Sequence, residues 1–560
     1  MITPAIKREY VFSTYVKSKY DKSKDALIVK EIIHEENKPS IRTLSIVENY
    51  KRPFWITKPE YQIHKDKREY EDIDKLFKRT STQRMLAQNI FKELNGYNPK
   101  RDFGLSDVNS SPFVYGSDIT SNDLLKQEYV DKYGKIFTTS TIAILDFEWD
   151  MNNPKEDILA GIVSMENIVH IAMSRKWLGE LADTACERVR ELINLKLGKL
   201  VKDRNIELTL TIHDSPAKII IGLMKTLHSH KPDFVACWNI EADMDKMIEA
   251  LDREGIDPAY VFSDPSVPDE YKYFEWRRQA GFKEKSNGER MLRSPSERWH
   301  TAYCPASFYF LCQMSTFRVM RAREQQRNSY GLDAILHEFL DLGKMHFDEI
   351  PKEITGRLWH QIMQKTHKLL YMVYLFGDGI YPLMLEEKTK DITQAIRPQA
   401  DTSSFDKFKS NPRRLATDFH FIMLEDSKVI GSTSRNMRTD LDKFIPSTEG
   451  WIVTLAAELE IGLGLCVLKE YPDMPTNISI YAYDEDLTSA YPSGGIWGNV
   501  SKATNLFVLC LVDGMSEFET REFGINITSV ISNPLSLAAS CFGMEKLDVY
   551  LADFIKEKGL

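Results

Sequence analysis

From Thr141 onward the chain alternates short apolar runs with helical stretches, and this alternation limits its fold more than any other feature. Ile142-Ala-Ile-Leu145, Ile168-Val-His-Ile-Ala172, Leu208 to Ile212 and Phe234-Val-Ala-Cys237 have the length of buried strands. An amphipathic helix is predicted near 177–200, between the second run and the third. The pattern makes this part of the chain an α/β domain.

Length and composition set the outer bounds. At one domain per about 150 residues, 560 residues make three or four domains. A hydrophobic content of 42% supports real cores and excludes a disordered or collagenous chain. The seven cysteines are scattered without a CxxC pair, which points to a reducing compartment and away from a structural zinc. No apolar run approaches the ~18 residues of a membrane span, and the N-terminus has no secretory pattern. The expectation is a soluble chain in the cytoplasm, or in the host-cell interior if it is viral. With 73 basic and 82 acidic residues the net charge is −9, so contacts to nucleic acid would be local grooves in an acidic protein.

The expected organisation is an accessory N-terminal domain over 1–138, with charged helical stretches such as 66–80, and an α/β domain over 139–392. A polar connecting segment over 393–447, with a possible return to the N-terminal domain, leads to a last domain over 448–560.

Three groups of acids stand out. Asp146-Phe-Glu148 follows directly on a strand run, which turns both carboxylates to one face and Phe147 to the other. Two hard anions side by side repel unless a divalent cation lies between them. Alone the triplet is weak, because D-x-E occurs about two or three times by chance in such a chain; Asp252-Arg-Glu254 is another, on what reads as a solvated helix end. Trp238-Asn239-Ile-Glu-Ala-Asp243 opens a helix after the run at 234–237, so Asp243 stands in its first turn as a metal ligand or a helix cap. Asp245 is the rival ligand. Tyr374-Leu-Phe-Gly-Asp378 lies in the apolar stretch Leu369 to Leu385, which places Tyr374 and Asp378 at i and i+4 on one helical face. Gly377 and Gly379 beside the aspartate suggest an irregular or closely approached backbone, or a helix that ends at Gly377.

In order and spacing, D-x-E, N-x-x-x-D and Y-x-x-x-D resemble the three motifs of proofreading 3′–5′ exonucleases. The resemblance implies a ribonuclease-H-like domain in which Asp146, Glu148, Asp243 and Asp378 bind two divalent ions, Mg or Mn, while Tyr374 orients the attacking water. Asn239 belongs to the second motif and is an expected DNA contact. Ala242 fills the slot before the aspartate where an aromatic is usual. Tyr330-Gly-Leu-Asp-Ala-Ile-Leu followed by Leu342-Gly-Lys resembles the stretch between the second and third motifs.

A more specific pattern stands at Asp486-Leu-Thr-Ser-Ala-Tyr-Pro-Ser493. It resembles motif A of family B (alpha-like) DNA polymerases, and its seven specified residues match by chance roughly once in 10⁹ positions. On that resemblance the chain carries part of an α+β polymerase palm. Asp486 and Leu487 are metal positions for Mg, Ser489, Ala490 and Tyr491 meet the incoming deoxynucleoside triphosphate, and Tyr491 is the gate against a ribose 2′-hydroxyl. Ala490 replaces a usual leucine and Gly494-Gly495 replace bulkier residues.

Motifs B and C of such polymerases are absent from the 67 residues after Ser493. One motif A carboxylate cannot organise two metals and a triphosphate. The expectation is therefore the exonuclease-bearing N-terminal subunit of a split, viral, replicative DNA polymerase. Its partners would be a primer–template, deoxynucleoside triphosphates, a second chain with motifs B and C, and a sliding clamp, with 501–560 as the candidate interface. A free-standing 3′–5′ DNA exonuclease with a vestigial palm and a non-catalytic replication scaffold are the alternatives. Arg318, Arg321, Arg323 and Arg327, with Pro412-Arg-Arg414, are the expected phosphate contacts, against the plainer reading of a solvated face. Phe308, Phe310 and Phe317 suit core packing better than stacking on a 3′ end.

Overall fold

The computed structural model describes residues 6–395 and 411–433, apart from 37, 66, 100–103, 137, 154, 156, 285–288, 294–299, 322–323, 325–326 and 352. Asp486, Leu487, Ser489, Ala490, Tyr491 and the whole of 448–560 lie outside the described residues, as does Arg323. Among the described residues, 6–63, 68–108 and 113–432 belong to one compact unit.

The N-terminal part is built from strands. β1 (Lys7–Lys17), β2 (Asp25–His34) and β3 (Ile41–Glu48) form an antiparallel meander. β4 (Arg52–Thr57) pairs with β6 (Leu76–Ser81) and β7 (Val114–Tyr115), and the short β5 (Tyr70–Asp72) stands apart from this sheet. Helix α1 (Leu86–Asn95) buries Leu86 and Ile90 against Phe54 and Ile56, and α2 (Ser121–Tyr133) packs on β1. The charged helix expected at 66–80 is not there. β5, a 3₁₀ turn and β6 occupy it, because β6 pairs with β4 and β5 pairs with Lys428–Ile430, which satisfies this backbone while Phe77 and Lys78 on β6 stay exposed.

The α/β part is a six-stranded mixed sheet. β8 (Ile142–Trp149), β9 (Ile158–Met165), β10 (Ile168–Ser174), β11 (Glu207–His213) and β12 (Phe234–Cys237) follow one another in the chain. Two small ribbons come next: β13 (Glu275–Arg277) pairs with β16 (Thr301–Tyr303), and β14 (Phe282–Glu284) with β15 (Arg290–Leu292). β17 (Tyr309–Cys312) completes the main sheet, whose order is β11-β10-β9-β8-β12-β17, with β9 antiparallel to both neighbours. β9 and β17 are additional to the four predicted strands.

Helices cover both faces of this sheet. On one, α3 (Ala182–Asp203) and the later helix Lys368–Thr389 pack against Ile162, Val169 and Ile171. On the other, α4 (Pro216–His230) and α5 (Ile240–Arg253) pack against Leu145, Phe147 and Val163. The predicted helix at 177–200 is α3, reached through a helical turn at Arg175–Leu178.

After β17 come α6 (Gln313–Met320), α7 (Leu332–Leu340), α8 (Gly356–Thr366) and α9 (Lys368–Thr389). α9 runs through Gly377, Gly379 and Pro382 without a break, so it does not end at Gly377. The glycine at 379 has a packing reason: a Cβ there would lie 2.5 Å from Ile162 Cδ1 on β9. Ser164 Oγ donates to the Gly379 carbonyl at 2.6 Å, and helix and sheet are thereby held in close approach.

Helix α10 (Asn411–Glu425) contains Pro412-Arg-Arg414, where the sequence pattern predicts a polar connecting segment. β18 (Lys428–Ile430) pairs antiparallel with β5, and Gly431 bridges to Tyr115, so this segment closes on the N-terminal strands.

Candidate metal centre

Asp146 and Glu148 lie one residue apart in β8, on the face toward α9, while Phe147 enters the opposite core. Asp378 comes down from α9 where Gly379 lets that helix reach the sheet. One carboxylate oxygen from each of Asp146, Glu148 and Asp378 lies within 4.8 Å of the other two. Around a magnesium ion with bonds of about 2.1 Å, neighbouring and opposite oxygens stand roughly 3.0 and 4.2 Å apart. Three hard oxygen donors at this spacing can hold a divalent cation with little closing movement.

Asp243 faces the triad from the first turn of α5. β8 pairs with β12 only from Ile142 to Ile144. Beyond that point the Phe147 backbone N–H lies near the Asp243 carboxylate and favours its ionised form. Asp243 feels the charges of Asp146 and Glu148 but is not one of the three clustered acids. Asp245 points elsewhere, accepting from Trp276 Nε1 at 3.0 Å and pairing with Arg278. Between the two, Asp243 is the residue turned to the centre.

The electrostatics follow from crowding. Burial raises the pKa of Asp146, and the charge of Asp378 adds to it; burial raises Glu148, with Asp146 and Asp378 adding. Asp243 is raised by burial and then by Asp146 and Glu148. Without a cation the fold therefore keeps protons on these acids at pH values where exposed carboxylates have lost theirs, near pH 4. A carboxyl raised in the folded state stabilises it fully below the unfolded value and loses that contribution as pH rises through the folded one. A cation requires the ionised acids, so its binding restores stability over that interval. We expect Mn²⁺ at about 100 times its Kd to add about 2.7 kcal/mol, a rise in melting temperature on the order of 5–10 °C at pH 8. The rise at pH 5.5 should be clearly smaller. Thermal melts at both pH values with and without Mn²⁺ check this, and an equal or larger rise at pH 5.5 contradicts it.

One residue of the centre was missed in the sequence. Lys344 Nζ donates to Asp378 Oδ2 at 2.6 Å and to the Tyr374 hydroxyl at 2.7 Å. Burial works against its ammonium, but Asp378, with Glu148 and Asp146 behind it, outweighs that and raises its pKa. Lys344 lies just after α7, in the Leu342-Gly-Lys segment, and its backbone N–H is anchored on Asp333 Oδ1 at 2.6 Å. The family-like run 330–344 was the available signal, but no local spacing marks a lone lysine as a site residue. Tyr374 remains a phenol, its pKa raised by burial and by Asp378. Tyr371, one turn earlier on α9, donates to Glu148 Oε2 and is likewise raised by burial and by that carboxylate. His360 is lowered to about 4 by burial and the nearby Lys344 charge, so its ring is neutral at pH 7.

The remaining expected residues divide clearly. Asn239 is exposed at the start of α5 and its side chain makes no capping bond. Arg318 is half-buried, its guanidinium 4.2 Å over the Tyr330 ring. Arg321 departs from expectation: it pairs with Asp391 at 2.7 Å and lies over Phe317, so its charge is consumed inside the protein rather than offered to phosphate. Arg327 pairs at the surface with the exposed Glu338 and Glu324. Phe308, Phe310 and Phe317 are core residues. Glu254 of the second D-x-E triplet bonds Ser215 Oγ and the Ala217 N–H, serving the start of α4. No described helix is long and apolar enough to cross a membrane. The chain matches no protein-family model, and no curated protein matches it.

Proposed function

We propose that this chain is the exonuclease-bearing N-terminal subunit of a split family B DNA-directed DNA polymerase, removing nucleotides from DNA 3′ ends. The observation that carries the reading is the meeting of Asp146, Glu148 and Asp378, from residues over 200 positions apart, on one face of the sheet, with Asp243 turned toward them. The mixed sheet with its single reversed strand supports the ribonuclease-H-like reading of 139–392.

In this reading Asp146, Glu148 and Asp378, with Asp243, hold two divalent ions, Mg or Mn. Such ions, when bound, activate water and stabilise the leaving 3′ oxygen of an in-line displacement. The protein's own residues do the positioning. Tyr374 presents its hydroxyl to the water, Lys344 supplies positive charge beside Asp378, and the exposed Asn239 and the half-buried Arg318 meet the strand end.

DNA synthesis requires the second chain. There Asp486 and Leu487 would complete an Mg site with the partner's motif C acids, and Ser489, Ala490 and Tyr491 would meet the triphosphate. Asp486→Ala should leave 3′ end removal unchanged and abolish primer extension by the two chains together. Extension by the variant pair would move the metal site elsewhere. A free-standing exonuclease is the second reading, favoured by the fact that every acid of the described centre comes from 146–378.

The deciding experiment is a gel assay of the chain alone on a 5′-labelled primer–template with Mg²⁺, with and without the four deoxynucleotides. Shortening without extension supports the proposal. Extension by the chain alone overturns the division of labour, and an unchanged primer that stays unchanged with the partner chain overturns the exonuclease reading.

A further inference from the structure

The hydroxyl of Tyr371 is surrounded by three polar groups whose hydrogen-bonding roles can be worked out from the backbone outward. Gln364 Oε1 accepts from the Met151 N–H at 2.9 Å, and its Nε2 donates to the Trp149 carbonyl at 2.9 Å. Those two backbone groups fix which end of the amide is nitrogen. It is therefore Nε2 that stands 3.2 Å from the Tyr371 oxygen, and an amide NH₂ only donates. His360 Nδ1 lies 2.7 Å from the same oxygen. On the remaining side is Glu148 Oε2, which when ionised only accepts.

A phenol has one hydrogen to give and two lone pairs to receive with. With Glu148 ionised, as cation binding requires, all three contacts are satisfied in one way: Gln364 Nε2–H and His360 Nδ1–H donate to the Tyr371 oxygen, and the Tyr371 O–H donates to Glu148. A neutral imidazole then carries its hydrogen on Nδ1. Trp177 Nε1 donates to the Gln364 carbonyl at 2.9 Å, and the Tyr371 ring lies parallel to Tyr374, with centroids 5.6 Å apart. Tyr371 is also two helical turns before Asp378, so α9 carries one acid of the triad and the group that holds another.

We propose that Tyr371 is a positioning residue of the metal centre: held by Gln364 and His360, it fixes Glu148 through Oε2 and leaves the other carboxylate oxygen for the cation. This rests on reading Asp146, Glu148 and Asp378 as a metal centre. Outer groups that orient a metal-binding carboxylate typically account for about 10–100-fold in affinity.

The test is calorimetric titration of the full-length chain with Mn²⁺. Tyr371→Phe removes the hydroxyl and keeps the ring, so the Kd should rise about tenfold while the circular dichroism spectrum stays that of the parent. His360→Leu should weaken binding several-fold. His360→Asn offers an N–H close to where Nδ1 stands and should return the Kd to within about twofold of the parent, a rescue that packing alone does not explain. Asp146→Ala with Glu148→Ala serves as the reference and should lose binding. If the reference loses Mn²⁺ while Tyr371→Phe binds like the parent, the positioning role is wrong and the metal centre stands. If the reference also binds like the parent, the metal centre and the inference fall together. Should Tyr371→Phe not fold, the His360 pair decides: parent-like binding by His360→Leu overturns the role.

Discussion

On the proposed exonuclease reading, Asp146→Ala combined with Glu148→Ala is expected to reduce 3′ end removal by about 10³–10⁴-fold, the loss of several kcal/mol of transition-state stabilisation from a centre that could no longer hold cations. The fold should survive. Both side chains repel one another and Asp378, and burial opposes the charge of each, so removing them relieves strain instead of creating it. Lys344 keeps its contacts with Asp378 and Tyr374 in the variant, so no buried charge is stranded. The Tyr371 hydroxyl loses Glu148, a cost of about 1 kcal/mol. Single-turnover digestion of a 5′-labelled strand, with a thermal melt of the same preparation, checks both halves. A variant that digests DNA as fast as the parent removes the exonuclease assignment. A variant that does not fold leaves the test to Asp378→Asn, which should show the same loss of digestion.

The second large effect concerns stability, at the junction of the N-terminal strands with the main sheet. Lys30 on β2 is fully buried. Its ammonium donates to the carbonyls of Lys231, Pro232 and Ser307 at 2.7, 2.9 and 2.6 Å and pairs with Asp233 at 3.2 Å. Asp233 Oδ2 in turn accepts from the Thr141 N–H and from Arg42 Nε, at the entrance to β8 and β12. Burial lowers the Lys30 pKa to about 8, with the Asp233 charge holding it up. Asp233→Ala leaves that cation without its counter-charge, and such losses cost about 3–5 kcal/mol. A lower urea midpoint in tryptophan fluorescence is the expected result. Replacing both partners, Lys30→Met with Asp233→Asn, should recover only part of the loss, because the buried cation is gone while the carbonyls of Lys231, Pro232 and Ser307 lose their donor. Equal midpoints for Asp233→Ala and the parent would show that the carbonyl cage alone carries Lys30.

The residues differ in how far they could be read in advance. Asp146 and Glu148 were legible because a strand alternates its faces, so a D-x-E after an apolar run must put both acids on one side. Tyr374 and Asp378 were legible because i and i+4 share a helical face. Asp243 against Asp245 was not, since both lie within a turn of a helix start and only the gap beyond Ile144 in the β8–β12 ladder shows which one turns inward. Lys344 carries no local pattern at all, and nothing in the sequence around Arg321 shows that Asp391, 70 residues on, pairs with it. The stretch at 66–80 misled because lysine and glutamate at helical spacing also suit an edge strand, and pairing with β4 decided between them.

The amino-acid order by itself determined the α/β alternation after Thr141, the faces on which the acids of β8 and α9 lie, and the family-like patterns at 146–378 and 486–493. These depend on spacing of a few residues along one element, where backbone geometry fixes side-chain direction. What only the tertiary structure decided is how those faces meet. Gly379 lets α9 approach β9, Lys344 reaches the carboxylates from a loop, and Gln364 and His360 on α8 close around Tyr371. Such contacts join residues far apart in the chain through packing and hydrogen-bond satisfaction, and no local period encodes them.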